Sequence, residues 1–225
     1  MGFSAEARAY LGPIQLETAA LFARQAYAFE RERQAEAAAP EVMRFAVGSV
    51  LSAVAFLEAT INELLADAYE GVTSETAGRL LPEARRLLAA VWPHIERNEI
   101  LEKYQLTLAL LSKSPIDRGA SVWDNAAALV ALRNFLVHYK PESAVILSSI
   151  DEKPVEPLKV EKRVKGKFSA NPFYDGKVTA FICSHLSHGC AEWSVRSSIA
   201  LGDAFFSSLA ISAPYEHVRA TLVTR

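Results

Sequence analysis

The sequence has few cysteines and no large excess of charge of one sign. Its two cysteines, Cys183 and Cys190, are too few for a disulfide framework in a chain of 225 residues, which favours a reducing compartment. The formal net charge of -2 at pH 7 predicts no general attraction to nucleic acid or to an anionic membrane. Any contact with nucleic acid would therefore depend on a local basic patch.

Long apolar runs are also absent from the sequence. The first residues, Met-Gly-Phe-Ser-Ala-Glu, carry charge early and contain no continuous apolar segment, which indicates that they are not a secretory signal. The longest apolar stretches lie near 45–57 and 126–132, and both are too short to span a bilayer. We therefore expect a soluble cytoplasmic protein without a membrane partner.

The composition is that of a folded domain. Hydrophobic residues make up 51% of the chain and charged residues 22%, so a substantial core can form. The length suits one domain over residues 1–225. No P-loop, Rossmann glycine fingerprint, zincin or nucleophile-elbow motif is present. These absences leave the common nucleotide-binding, metalloprotease and hydrolase signatures without support.

Hydrophobic periodicity predicts an all-α fold, a helical bundle. The predicted core helices cover about 13–139 and 189–212, and an irregular insertion covers about 141–187. Thr73 or Ser74 is predicted to cap a helix that runs towards Pro93. Ser121 is predicted to cap a helix that ends near Tyr139, and Ser187 is predicted to cap the last helix.

The clearest predicted helix runs from about Glu41 to Tyr69, and Gly71 follows it as a stop signal. Its apolar stripe contains residues at helical spacing, namely Val47, Leu51, Val54, Ala55, Ile61 and Leu65. Glu58 and Asn62 are four residues apart and fall within this stripe. A carboxylate in an apolar stripe needs a partner, so these two residues are predicted to support a polar site.

The insertion differs in character from the helices around it. Its prolines, its glycines and the alternating segment Lys159-Val160-Glu161-Lys162-Arg163-Val164 predict a long excursion with short strands. Five basic residues and one acidic residue lie between Lys159 and Lys167. The basic side chains could contact RNA phosphates or form a solvated surface, and they are Lys159, Lys162, Arg163, Lys165 and Lys167.

The segment from Arg133 to His138 is the main candidate for chemistry. It ends a helix that is apolar on nearly all sides, which predicts that this helix is central to the core. A guanidinium on that helix needs a partner, and Glu58 is the natural candidate. Arg133 can stabilise charge on a phosphoryl group, and His138 can move a proton, so the pair suits phosphodiester chemistry without a metal or other cofactor.

Arg133 and His138 are separated by four residues, and Asn134 directly follows the arginine. This R-N-x-x-x-H arrangement resembles the signature of the HEPN superfamily. The resemblance implies a HEPN-like helical bundle and, for many members, a metal-independent endoribonuclease in toxin–antitoxin, anti-phage or RNA-processing systems. Carried over to this chain, it implies that Arg133, Asn134 and His138 are catalytic and, more loosely, that Glu58 supports them.

The resemblance also implies partners. Active sites of the superfamily commonly form where the motif helices of two protomers meet, which implies a homodimer, RNA as a partner and an antitoxin protein as a further one. Toxins of this kind often have a tyrosine two residues after the histidine. Lys140 holds that position here and Tyr139 is adjacent to the histidine, so Tyr139 is assigned a supporting role and regulation through a modified tyrosine is not expected.

Two alternatives to the enzyme remain open. In the first, the chain is a non-catalytic HEPN-like module that binds RNA, a nucleotide or a partner protein through the same residues. In the second, Glu58 and Arg133 form a buried structural ion pair. A cleft shared by two copies of His138 would favour catalysis, and a site sealed inside the monomer would favour the structural role.

Two further features receive structural interpretations. The octapeptide from Cys183 to Cys190 offers four metal-ligating side chains, but crowding all four into eight residues is sterically awkward for zinc, so no metal site is predicted. We expect Cys190 to be buried and His188 to lie at the start of the last helix. The tryptophans are expected to be core residues rather than base-stacking platforms, and they are Trp92, Trp123 and Trp193.

Overall fold

A computed structural model describes residues 8–32, 38–74, 76–141, 157–174 and 180–225. All regular elements within these ranges are helices, so the predicted all-α bundle is confirmed. The α-helices are α1 (Gly12–Glu32), α2 (Ala39–Glu70), α3 (Pro82–Ile95), α4 (Ile100–Leu110), α5 (Ser121–Val137), α6 (Lys159–Val164), α7 (Phe181–His185) and α8 (His188–Leu209). Two 3₁₀ turns cover Ala77–Arg79 and Glu216–Thr221.

Helix α2 is the central element, and α1, α3, α4, α5 and α8 all pack against it. Alanines on α1 and α2 are fully buried, and such small side chains allow the helices to approach closely. Ser49 lies where three helices meet, with its Oγ 3.0 Å from the Ala19 carbonyl oxygen on α1 and 3.1 Å from that of Ala191 on α8. The hydroxyl therefore satisfies its hydrogen-bonding need inside the core.

The ends of α2 follow from its sequence. Pro40 lies in the first turn, where a missing backbone N–H costs nothing. Gly71 follows the last turn with φ 70°, and the backbone N–H of Val72 donates to the Asp67 carbonyl at 2.9 Å. The predicted stop at Gly71 is confirmed. The predicted apolar stripe is partly wrong, because Leu51 is exposed and residues such as Leu57 and Leu64 are buried instead.

By length and composition, α2 could cross a membrane. The sequence-based expectation of no membrane partner stays a prediction, because the core helix of a bundle passes the same criterion of length and composition. Half of its most apolar window is buried inside the molecule. The same composition is required of a central helix that packs against neighbours on several sides.

The predicted caps have different outcomes. The Ser187 hydroxyl accepts a hydrogen bond from the Cys190 N–H at 3.0 Å, so this cap is confirmed. The Ser74 hydroxyl accepts from the Ala77 N–H at 3.0 Å and stabilises a 3₁₀ turn, whereas α3 begins only at Pro82. Ser121 is the first residue of α5 and makes no side-chain cap. The predictions for Ser74 and Ser121 therefore differ from the structure, because the local sequence did not specify the turns that precede α3 and α5.

The predicted strands in the insertion are contradicted where the structure describes it. The alternating segment from Lys159 forms the short helix α6. Val160 and Val164 are both buried while Lys162, midway between them, is exposed, and a strand would place all three side chains on one face. Residues 142–156 and 175–179 of the insertion lie outside the described residues.

Candidate active site at the end of helix α5

The R-N-x-x-x-H segment lies where α5 leaves the core. Ala126, Leu129 and Leu132 are fully buried against the bundle, whereas His138 is exposed. The prediction that the whole segment lies on a buried helix is therefore wrong for its last turn. Helix α5 packs on α2, α6 and α8 but ends at the surface. The core fixes the start of the segment, and solvent reaches its end.

Arg133 forms the predicted ion pair with Glu58. Its Nη2 lies 3.5 Å from Glu58 Oε2, so α5 and α2 are joined at this point. The Arg133 side chain is 25% exposed and that of Glu58 is 48% exposed. Glu58 is therefore not a buried carboxylate, contrary to the prediction from the apolar stripe. It restrains the guanidinium while solvent still reaches the pair.

Asn134 and His138 follow Arg133 along the same helix. The backbone N–H of His138 donates to the Asn134 carbonyl oxygen at 3.0 Å, which holds His138 at the last turn. The imidazole is exposed and forms no hydrogen bond within the part of the chain that the structure describes. It is therefore free to meet a molecule from solution.

An aromatic cluster anchors the opposite side of this turn. The ring of Phe135 packs edge-on against Phe181 of α7 at 5.2 Å and against Tyr139 at 5.6 Å. Tyr139 is partly exposed. The cluster fixes the direction in which α5 ends, and this is a supporting role for Tyr139.

Asn62 was predicted to support the same polar site as Glu58 and Arg133, but it contacts a different cation. Its Oδ1 accepts a hydrogen bond of 2.8 Å from Nζ of Lys103 on α4. Lys103 is only 3% exposed, and its Nζ lies 5.6 Å from the ring centroid of Trp92. Burial lowers the pKa of Lys103, although the nearby carboxylates of Glu58 and Glu96 oppose that shift. Glu58 and Asn62, four residues apart on α2, therefore each contact a cation, Arg133 and Lys103 respectively.

A groove of about 460 Å³ extends from Glu58 over this second cation. It is lined by residues of α2, α3 and α4 together with the segment before α1, and they include Glu58, Asn62, Trp92, Glu96 and Lys103. Sequence reasoning missed Lys103, although a lysine on the same face as Ile100 and Thr107 was an available signal. Glu58 belongs both to this groove and to the ion pair with Arg133.

The five basic residues of the insertion differ in their contacts. Lys167 is held by Asp124 and by Asn125, whose Oδ1 accepts at 2.8 Å, so it ties the insertion to α5. Lys159, Arg163 and Lys165 are exposed. Lys162 is exposed on α6 as well. The predicted basic run is thus a surface helix and the turn after it, and one of its five cations is committed to a structural contact.

The cysteine–histidine octapeptide is divided between two helices. Cys190 is fully buried at the start of α8, and burial raises the pKa of its thiol to about 12. His188 begins α8 as predicted, and its Nε2 lies 3.1 Å from the Thr224 carbonyl oxygen. Trp193 is buried, whereas Trp92 and Trp123 are partly buried and pack against the core. These side chains therefore pack in the bundle as part of its structure.

No family model, no curated protein and no solved structure matches the chain. A functional interpretation must therefore be argued from the residues and their geometry. The described site combines a restrained guanidinium, an accessible imidazole five residues further along the chain, and a groove that begins at the carboxylate paired with the guanidinium.

Proposed function

We propose that the chain is a HEPN-like, metal-independent endoribonuclease with Arg133, Asn134 and His138 as its catalytic residues. The observation that carries this proposal is the contrast at the end of α5. The Arg133 guanidinium is three-quarters buried and paired with Glu58, while the His138 imidazole is open to solvent. A fixed cation and an accessible imidazole at the end of one helix support phosphodiester chemistry, because one group stabilises charge and the other transfers a proton.

In the proposed reaction, neutral His138 accepts the proton of a ribose 2′-hydroxyl, and the 2′-oxygen attacks the adjacent phosphorus. Arg133 stabilises the negative charge on the non-bridging oxygens of the phosphorane-like transition state. The bond from phosphorus to the 5′-oxygen then breaks, and the leaving oxygen takes a proton from solvent or from His138 of a second protomer. Asn134 positions the substrate or His138. This sequence leaves a 2′,3′-cyclic phosphate and a 5′-hydroxyl.

The proposal includes a homodimer. Val137 directly precedes His138, and its side chain is 55% exposed. Tyr139 is also partly exposed beside it. Apolar exposure on both sides of His138 supports contact between two motif helices. A toxin or defence role in the cytoplasm, with an antitoxin protein as partner, belongs to the same proposal and depends on the resemblance.

The decisive experiment is incubation of the purified protein with total RNA in the presence of EDTA. We expect cleavage by the wild type, and a loss of about 100-fold or more in His138→Ala and in Arg133→Ala. The thermal unfolding midpoint of each variant should stay close to that of the wild type, because His138 is exposed and the Arg133 pair is partly solvated. The matched control is His94→Ala, which removes another exposed histidine.

Other outcomes separate the alternatives. Cleavage undiminished by both substitutions would refute the site assignment. RNA binding without cleavage, measured by fluorescence anisotropy and weakened in Arg133→Ala, would replace the enzyme with a binding module. A large loss of thermal stability in Arg133→Ala without any effect on RNA would identify the ion pair with Glu58 as structural.

A further inference from the structure

A second cavity, of about 420 Å³, lies away from the R-N-x-x-x-H segment. It is enclosed by the start of α1, the second half of α2 and the segment that follows α8. No residue of the 133–138 segment lines it. The volume falls within the range typical of sites for small molecules.

Two carboxylates in the wall of this cavity lack a cationic partner. Glu17 and Glu63 both line the cavity, and neither forms an ion pair within the described ranges. Glu17 Oε1 accepts from the Thr221 hydroxyl at 2.8 Å, and Glu63 Oε1 accepts from the Leu11 and Gly12 N–H groups at 2.6 and 3.0 Å. The second oxygen of each carboxylate accepts no hydrogen bond from the residues that the structure describes.

The third carboxylate of the cavity is already neutralised. Asp67 Oδ1 lies 2.9 Å from Arg8 Nε, and Asp67 Oδ2 accepts from the Tyr10 hydroxyl at 3.1 Å. Among the carboxylates of the cavity, the uncompensated negative charge that a ligand would meet therefore comes from Glu17 and Glu63, and His217 is the one histidine in the lining. An anionic ligand is disfavoured by this charge, and a cation is favoured.

A buried hydroxyl in the same wall has no partner. Thr60 lines the cavity and is only 2% exposed, yet its Oγ1 makes no hydrogen bond within the described part of the chain. A Cβ built on Gly12 would lie 2.9 Å from this oxygen, so the start of α1 closes over it. The hydroxyl belongs to a side chain that lines the cavity. Its unmet hydrogen-bonding need points to a ligand.

The remaining lining is apolar in part, with Ser74, Thr76 and His217 as further polar residues, and its apolar part defines the rest of the ligand. Pro13, Ile14, Leu64 and Pro214 line the cavity beside the carboxylates. A metal ion would leave this apolar surface unused, whereas an ammonium group on a hydrocarbon chain matches both halves of the lining. We propose that the cavity binds a protonated aliphatic amine, with its ammonium at Glu17, Glu63 and Thr60 and its chain against Pro13 and Leu64.

The test is calorimetric titration of the full chain at pH 7 with n-hexylamine as the probe. We expect saturable binding of one molecule per chain with a Kd at or below about 1 mM. Two ligands with the same chain length serve as comparisons, since n-hexanol lacks the charge and hexanoate reverses it. Both should bind about tenfold more weakly or not at all. Absence of saturable hexylamine binding, or equal binding of n-hexanol, would overturn the proposal.

Two variants test the named groups. Glu17→Gln keeps the shape of the side chain and an acceptor for Thr221, and it should weaken hexylamine binding about tenfold. Thr60→Val removes the hydroxyl with little change in volume, so it should weaken binding while the free protein is at least as stable as the wild type. Glu102→Gln, an exposed change on α4, is the control that should bind normally. Unchanged affinity in Glu17→Gln would overturn the site, and unchanged affinity in Thr60→Val would overturn the role of the hydroxyl.

Discussion

The ion pair between Arg133 and Glu58 is too exposed to contribute much to folding. Pairs of this kind are worth about 0–1 kcal/mol, because solvent screens the charges and two long side chains lose freedom. Lys103 is different, since its ammonium is buried and its pKa is lowered. Stability therefore does not account for Arg133, and this agrees with the catalytic role that we propose for it.

Glu192 is a buried acidic residue whose loss should be costly. It is buried on α8, and both its oxygens accept from Arg225, at 3.0 and 2.8 Å, while Thr224 donates to Oε1 at 2.9 Å. Burial raises the pKa of its carboxyl, but the hydrogen bonds from Arg225 and Thr224 outweigh burial and bring the pKa below its ordinary value of 4.5. We predict that Glu192→Gln lowers the free energy of unfolding by about 1–3 kcal/mol at pH 7.

The sign of the pH dependence follows from that lowered pKa. Between the native pKa of Glu192 and 4.5, the unfolded chain binds more protons than the folded one, so stability falls as the pH falls through this window. The difference between wild type and Glu192→Gln, measured by urea unfolding, should therefore shrink below about pH 4.5. A constant difference would contradict the prediction. Glu216→Gln, an exposed change, should have a small effect at every pH.

At the scale of elements, the ends of α2 are set by backbone conformation. Gly71 has φ 70°, and a Cβ placed there would meet nothing within 4 Å. Gly71→Ala should therefore destabilise the protein through backbone strain alone, by about 1 kcal/mol. The measurement is the midpoint of chemical denaturation.

Gly119→Ala provides the matched control for that prediction. A Cβ at Gly119 would lie at an ordinary distance of 3.5 Å from the Asp117 carboxylate, and Gly119 does not have a positive φ. Its substitution should change stability by less than about 0.5 kcal/mol. Equal losses in the two variants would show that the conformation of Gly71 is not the cause.

Helix α6 shows how a short element can be misassigned from sequence. Its six residues alternate in polarity closely enough to resemble a strand, yet Lys162, midway between the two buried valines, is exposed. Over so few residues the periods of 2.0 and 3.6 cannot be separated by pattern alone. Packing of α6 against α5 decides in favour of the helix.

For the molecule as a whole, the proposed homodimer gives a direct prediction. Val137→Glu places a charge at the exposed apolar position beside His138, and burial of an unpaired charge in an interface is costly. We expect the wild type to sediment as a dimer and Val137→Glu as a monomer in analytical ultracentrifugation.

The matched control is Leu81→Glu, because Leu81 is also exposed but lies before α3. This variant should sediment like the wild type. A monomeric wild type, or a Val137→Glu variant that is still dimeric, would contradict an interface at the motif helices.

The sequence by itself determined the helical class, the stop of α2 at Gly71, the cap at Ser187 and the pairing of Arg133 with Glu58. These features depend on local periodicity, on backbone preferences and on the need of a charge in an apolar context for a partner. Only the tertiary structure decided that His138 is exposed, that Asn62 accepts a hydrogen bond from Lys103 and that Glu17 and Glu63 line one cavity. Each of these depends on which helices become neighbours, and a single helical pattern does not contain that information.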